Sequence, residues 1–137
     1  LEIYRYSNGY DLTVNGSATL MSGLIQSGRF FLYPVGFLMA GFDSKPRLFS
    51  IDGAGGSQED RFATEGSGMV VAVGILDEFY RDDLQQADAA KIAVKAVASA
   101  MKRDTPTGDG IDCVVITKSG IARLSKDEIQ KMVGSKL

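Results

Sequence analysis

Ala87-Asp88-Ala89-Ala90-Lys91-Ile92-Ala93-Val94-Lys95-Ala96-Val97-Ala98-Ser99-Ala100-Met101-Lys102-Arg103, continued by Asp104-Thr105-Pro106-Thr107-Gly108-Asp109-Gly110-Ile111-Asp112, is the stretch on which the reading of this chain turns. Its polar residues Asp88, Lys91, Lys95, Ser99 and Lys102 recur at three and four, a narrow stripe on an Ala, Val, Ile and Met surface. That periodicity predicts a helix over residues 87–103, buried on most of its circumference. Its alanines would let it approach a sheet closely. Pro106 stops the helix, and Thr105 before the proline is pushed out of helical geometry. The continuation packs three carboxylates, two hydroxyls, a proline and two glycines into residues 104–112.

Downstream, residues 111–117 form a β-branched run that predicts a strand, turned at Ser119-Gly120 into Ile121-Ala122-Arg123-Leu124, a hairpin. Ser125 and Glu128 have capping-box spacing, opening a helix that carries Ile129, Met132 and Val133.

Upstream, Met69, Val73, Leu76 and Tyr80 have helical spacing. Gly66-Ser67-Gly68 precedes them. It does not fit a nucleophile elbow, and taken alone Ser67 reads as the N-cap of that helix. Arg61-Phe62-Ala63-Thr64 reads as a short strand. Asp52-Gly53-Ala54-Gly55-Gly56 lacks the spacing of a dinucleotide or phosphate loop and reads as a tight turn or close-packed loop. Residues 30–42 are a long apolar run (Phe30, Phe31, Leu32, Tyr33, Val35, Phe37, Leu38, Met39). It predicts a strand whose regular ladder begins after Pro34. Asp43-Ser44-Lys45-Pro46 turns it into a return strand over residues 47–51, and such apolarity predicts a sheet covered on both faces.

Val14, Ala18, Met21, Leu24 and Ile25 predict a helix over residues 14–26, closed by Ser27-Gly28 and weakened by Gly16 and Gly23. Ser7-Asn8-Gly9-Tyr10-Asp11 is a turn cluster. Leu1, Ile3, Tyr4 and Tyr6 before it read as the end of an element already under way, so the chain is expected to be part of a longer protein. The order of elements, with hairpins and paired helices, gives an α+β class: sheet inside, helices outside.

The 137 residues suit a single domain, residues 1–137, without repeats or linkers. Hydrophobic residues at 45% and charged ones at 23% are ordinary for a globular protein. A net charge of −2 gives no reason to expect nucleic acid or an acidic membrane surface as partner. The sole cysteine, Cys113, excludes an internal disulfide and reads as packing. No histidine is present, which removes Ser-His-Asp triads, Cys-His dyads and His-based zinc sites. No metal or cofactor is expected, and Asp109 and Asp112 fit no calcium loop. Hydrolysis by this chain would have to run on hydroxyls, carboxylates, lysines or a terminal amine. Taken alone, Asp104 reads as a turn aspartate.

Met101-Lys102-Arg103-Asp104 followed by Thr107-Gly108-Asp109-Gly110-Ile111-Asp112 resembles the signature of archaeal-type proteasome β-subunits. Ser50-Ile51-Asp52 with Gly55-Gly56, and Gly66-Ser67-Gly68, are similar to two further blocks of that family in the right order. Gly36-Phe37-Leu38-Met39-Ala40-Gly41-Phe42-Asp43 resembles its central strand. The resemblance runs through essentially the whole chain. It implies the N-terminal nucleophile hydrolase fold, a four-layer αββα sandwich of two stacked antiparallel sheets, here lacking its N-terminal strands. The activity it implies is that of a threonine endopeptidase. The hydroxyl of an N-terminal threonine attacks, the free terminal amine takes its proton directly or through water, and water releases the acyl ester.

Carried over by position, Ser67 matches the serine that hydrogen-bonds near the threonine amine. Asp104 matches the aspartate that orients the nucleophile, and Thr107 stands where the family more often has a serine that contacts the amine. Asp52, Gly53, Ala54, Gly55 and Gly56 match a segment lining the neighbouring subunit's substrate channel. The threonine itself, with the family's N-terminal third, is not in this sequence. The resemblance further implies a cytoplasmic particle. Its β-subunits form seven-membered rings flanked by α-subunit rings, fed with unfolded polypeptides by a regulatory ATPase. The alternatives are a non-catalytic structural or α-type ring subunit of the same fold, and an unrelated small α/β binding domain.

Overall fold

A computed structural model describes residues 2–28 and 35–134. The chain divides into two compact units, Leu1–Ala63 and Thr64–Leu137.

The first unit begins with α1 (Glu2–Asn8) and α2 (Val14–Ser27). The opening residues thus lie in a helix. It extends through Ser7 and Asn8, the first half of the expected turn, before Gly9 breaks it at φ +76°. Thr13 caps α2, its Oγ1 accepting from the Gly16 amide at 3.0 Å, and Gly28 closes it. An antiparallel sheet of β1 (Phe37–Phe42), β2 (Pro46–Ile51) and β3 (Ser57–Glu59) follows, in the order β1-β2-β3. The register pairs Phe37 with Ile51 and Phe42 with Pro46, then Phe49 with Glu59 and Ile51 with Ser57. Alternate strand residues share a face. Phe49 and Ile51 therefore meet Ala18 and Ile25 of α2, and Val14, Met21 and Met39 pack around this core.

Two expectations change in this unit. The strand expected over residues 30–42 starts at Phe37, and its residues 30–34 lie outside the described ones. The third strand is Ser57–Glu59, while Arg61 to Thr64 run off the ladder. Its side chains are polar and exposed, so the backbone ladder to β2 selects it, supported by Ser50 Oγ donating to Asp60 Oδ2 at 2.8 Å. Cover on both faces is expected, and among the described residues of this unit α2 covers one of them. On the opposite face Leu38 remains 44% exposed among the described residues.

Asp43 ties the β1–β2 turn to α2. Its Oδ1 accepts from the Ser44 amide at 2.6 Å and from Arg47 Nε at 3.3 Å, and its Oδ2 accepts from the Val14 amide at 3.2 Å. Partial burial works to raise this carboxyl. The amides of Ser44, Val14 and Lys45, with Arg47, outweigh it and hold the pKa down to about 2.

The second unit contains α3 (Met69–Phe79), α4 (Gln86–Met101), a 3-10 turn (Thr105–Thr107), a hairpin of β4 (Val114–Thr117) and β5 (Gly120–Arg123), and α5 (Lys126–Gly134). Two alanines of α4 meet a helix: Ala96 and Ala100 pack on Ala72 of α3, with Val71, Ile75 and Leu76 around them. Small side chains on both helices permit that approach. The strand expected from Ile111 starts at Val114. The capping box forms as read, with the Ser125 amide donating to Glu128 Oε2 at 2.7 Å and the Glu128 amide to Ser125 Oγ at 3.3 Å. Hydrogen bonds from Ser125, side chain first and then amide, lower the Glu128 pKa. Among the described residues no helix is long and apolar enough to cross a membrane.

Candidate active site: a carboxylate shared by two hydroxyls

The end of α4 builds the site. The Arg103 and Asp104 amides both donate to the Ala100 carbonyl, at 2.9 and 2.8 Å, which tightens the last turn. Asp104 then leaves helical geometry, at φ −131° and ψ 104°. Pro106 bars continuation as an α-helix, and the chain closes instead into one 3-10 turn. The Thr107 amide donates to the Asp104 carbonyl at 3.2 Å and the Gly108 amide to the Thr105 carbonyl at 3.1 Å. Gly108 can end this turn because its φ of +87° suits glycine. The turn brings Thr107 back over Asp104.

Thr107 Oγ1 donates to Asp104 Oδ2 at 2.5 Å. Ser67 Oγ, arriving from the segment before α3, donates to the same oxygen at 2.6 Å. Ser67 is therefore not the helix cap it resembles. Gly68 holds the N-cap position, and its carbonyl accepts from the Val71 and Ala72 amides, both at 3.1 Å. A cap signature is local, whereas Ser67 finds its partner 37 residues on.

The donors, Ser67 first and Thr107 second, stabilise the ionised carboxylate and lower the Asp104 pKa against a smaller opposing effect of burial. Each hydroxyl has one proton, and both protons are committed to Asp104. What Ser67 and Thr107 present to any further group is therefore acceptor lone pairs. The centre is acceptor-rich and negatively charged, suited to a protonated amine or another N–H or O–H donor.

A concavity of about 310 Å³ opens onto this centre. Ser67 and Thr107 line it together with Met69, Ala72, Val97 and Pro106, and Glu65 adds a further carboxylate. Gly68 also lines it and was not singled out by the sequence reading. A methyl group there would collide with Thr107 Oγ1 and stand 2.9 Å from Ala100 Cβ. The glycine-serine-glycine block marks the place without showing which glycine is needed for space.

Ser67, Asp104 and Thr107 are thus brought together. Asp52, Gly53, Ala54, Gly55 and Gly56 belong to the first unit and form a closed turn. Asp52 Oδ1 accepts from the Ala54 and Gly56 amides at 2.8 and 2.9 Å, and Gly55 has φ +87°. The Gly55 carbonyl is held to α2 by Ser22 Oγ and by Gln26 Nε2, the latter at 3.0 Å. Asp112 is taken by Lys126 at 3.2 Å. Cys113 is half-buried, and burial raises its thiol pKa, in keeping with packing.

A family model described as "Proteasome subunit" matches residues 1–116. Proteasome subunit beta 1 of Thermococcus kodakarensis is 42% identical over 132 residues, 96% of this chain and 65% of that protein. Proteasome subunit beta 2 of Pyrococcus furiosus is 43% identical over 131 residues, covering 96% and 64%. Proteasome subunit beta of Methanocaldococcus vulcanius is 38% identical over 136 residues, covering 97% and 61%. The chain spans just under two thirds of the length of these relatives. Matched by the family model over most of its length, and built as an α+β chain of small antiparallel sheets and helices, it belongs to the proteasome subunit family.

Proposed function

We propose that residues 1–137 are part of one proteasome β-type domain, and that Asp104, Ser67 and Thr107 form the supporting shell of a threonine endopeptidase. The nucleophile would be an N-terminal threonine contributed by a segment upstream of Leu1. The observation that carries this reading is the direction of the two hydrogen bonds. Ser67 and Thr107 both give their protons to Asp104 Oδ2 and so offer lone pairs to a terminal amine. A carboxylate beside that amine favours its protonated form, the form it takes on accepting the threonine hydroxyl proton. Asp104 thereby favours the transfer electrostatically and orients both hydroxyls. A chain without histidine suits such a division of labour.

The particle would be cytoplasmic. It would place β-subunits in a seven-membered ring between α-subunit rings, with unfolded polypeptides delivered by a regulatory ATPase. The turn from Asp52 to Gly56 would line the channel of the neighbouring subunit. In the experiment, the intact polypeptide containing this chain is assembled and assayed for hydrolysis of short fluorogenic peptides. The Asp104→Asn variant is expected to lose at least about a hundredfold in kcat, on the scale of a lost electrostatic or proton-transfer partner. An assembled Asp104→Asn variant that retains full kcat would defeat the proposal. So would a wild-type ring with no peptidase activity, which would favour a structural subunit.

A further inference from the structure

We propose that Gly68 is a positioning residue of the Asp104 centre: its missing side chain provides the space in which Ser67 and Thr107 converge on one carboxylate oxygen. The proposal rests on reading that centre as the supporting shell of a peptidase.

Gly68 is buried, and its backbone, at φ −83° and ψ 3°, is one that any residue can adopt. Conformational freedom is therefore not why glycine is needed. Space is. A Cβ built there falls onto Thr107 Oγ1, 2.9 Å from Ala100 Cβ and 3.5 Å from Asp104 Oδ2. The neighbouring glycines differ. Gly66 has φ +98° with open space around it, and a Cβ on Gly74 meets nothing within 4 Å.

None of the three neighbours yields easily. Ala100 is 2% exposed and its methyl is fixed to the α4 backbone. Thr107 is held by the 3-10 turn, and its β-branched side chain is stiff about χ1. Asp104 is held through its amide by Ala100 and through its carboxylate by both hydroxyls. A methyl at position 68 must either push the Thr107 hydroxyl off Oδ2 or lift the start of α3 from α4. Lifting α3 would carry Ser67, the preceding residue, away from Asp104. Either displacement breaks the shared acceptor. Glu65 lines the concavity, and Lys102 and Arg103 precede Asp104 in the chain.

The test uses the intact polypeptide with Asp104 followed by ¹³C-carboxyl NMR, its signal assigned by loss in Asp104→Asn, alongside peptide hydrolysis. Gly68→Ala is compared with the doubles Gly68→Ala/Thr107→Ser and Gly68→Ala/Ala100→Gly. The single variant is expected to raise the Asp104 titration towards the ordinary carboxylate value of 3.8. It should also lower kcat at least tenfold with little change in KM. Thr107→Ser, which keeps the hydroxyl but frees its rotation, should restore both in part, and Ala100→Gly should not. An unchanged Asp104 titration in folded Gly68→Ala overturns the proposal, as does rescue by Ala100→Gly equal to that by Thr107→Ser. If Gly68→Ala does not fold, folding with restored titration in the Thr107→Ser double supports the proposal. Folding only with Ala100→Gly, or in neither double, assigns Gly68 to helix packing and overturns it. If the wild type hydrolyses no peptide, the functional reading fails, and the titration alone decides the role of Gly68.

Discussion

Asp104 holds two hydroxyl protons on one oxygen, and at the residue scale this determines its charge. With its folded pKa below the ordinary 3.8, the carboxylate contributes stability that is complete above that value. The contribution is lost as pH falls through the lower folded value. Ser67→Ala removes the donor with the largest effect. It should lower the melting temperature at neutral pH, and the gap to wild type should close under strongly acid conditions. Thermal melts across that range check it, and a gap independent of pH would show that Asp104 and Ser67 are not coupled. Asp43 follows the same sign. The advantage of wild type over Asp43→Asn should be full above 3.8 and vanish as pH falls through about 2.

Local periodicity and local chemistry explain which elements were legible. The narrow polar stripe of α4 and the Ser125–Glu128 capping box report forces acting within a turn or two, and both elements stand close to where the sequence puts them. Replacing Ser125 by alanine should cost about 1 kcal/mol in unfolding free energy, measurable by denaturant titration. β3 was not legible, because Ser57, Gln58 and Glu59 have no apolar alternation and the strand exists through the ladder of β2. Ser67 was misread alone for a related reason: its local signature is that of a cap, and its partner is distant in sequence. Gly41 belongs with these. A Cβ there would stand 2.6 Å from Val14 Cγ2, so Gly41→Ala should destabilise by about 1–3 kcal/mol through overpacking of α2 on β1.

For the whole molecule, the core of the first unit is small and depends on few side chains. Ile51 is fully buried between Phe49, Ala18 and Ile25, and Ile51→Ala should cost about 2–5 kcal/mol. Elsewhere apolar side chains face water: Ile3 and Tyr6 are 82% exposed, Val70 and Ile121 72%. Resemblance to a proteasome subunit supplied the roles proposed for Ser67 and Thr107, which composition and spacing alone could not: taken alone, Ser67 reads as a helix cap and Asp104, their shared partner, as a turn aspartate. The centre they form with Asp104 is proposed to take an amine, and the decisive observation is which amine it meets. Mass spectrometry of the mature intact polypeptide reads this directly. The expected result is an N-terminal threonine with a free amine, lying upstream of Leu1. A mature polypeptide that begins with any other residue would contradict the assignment of Asp104, Ser67 and Thr107 as the shell of a threonine nucleophile.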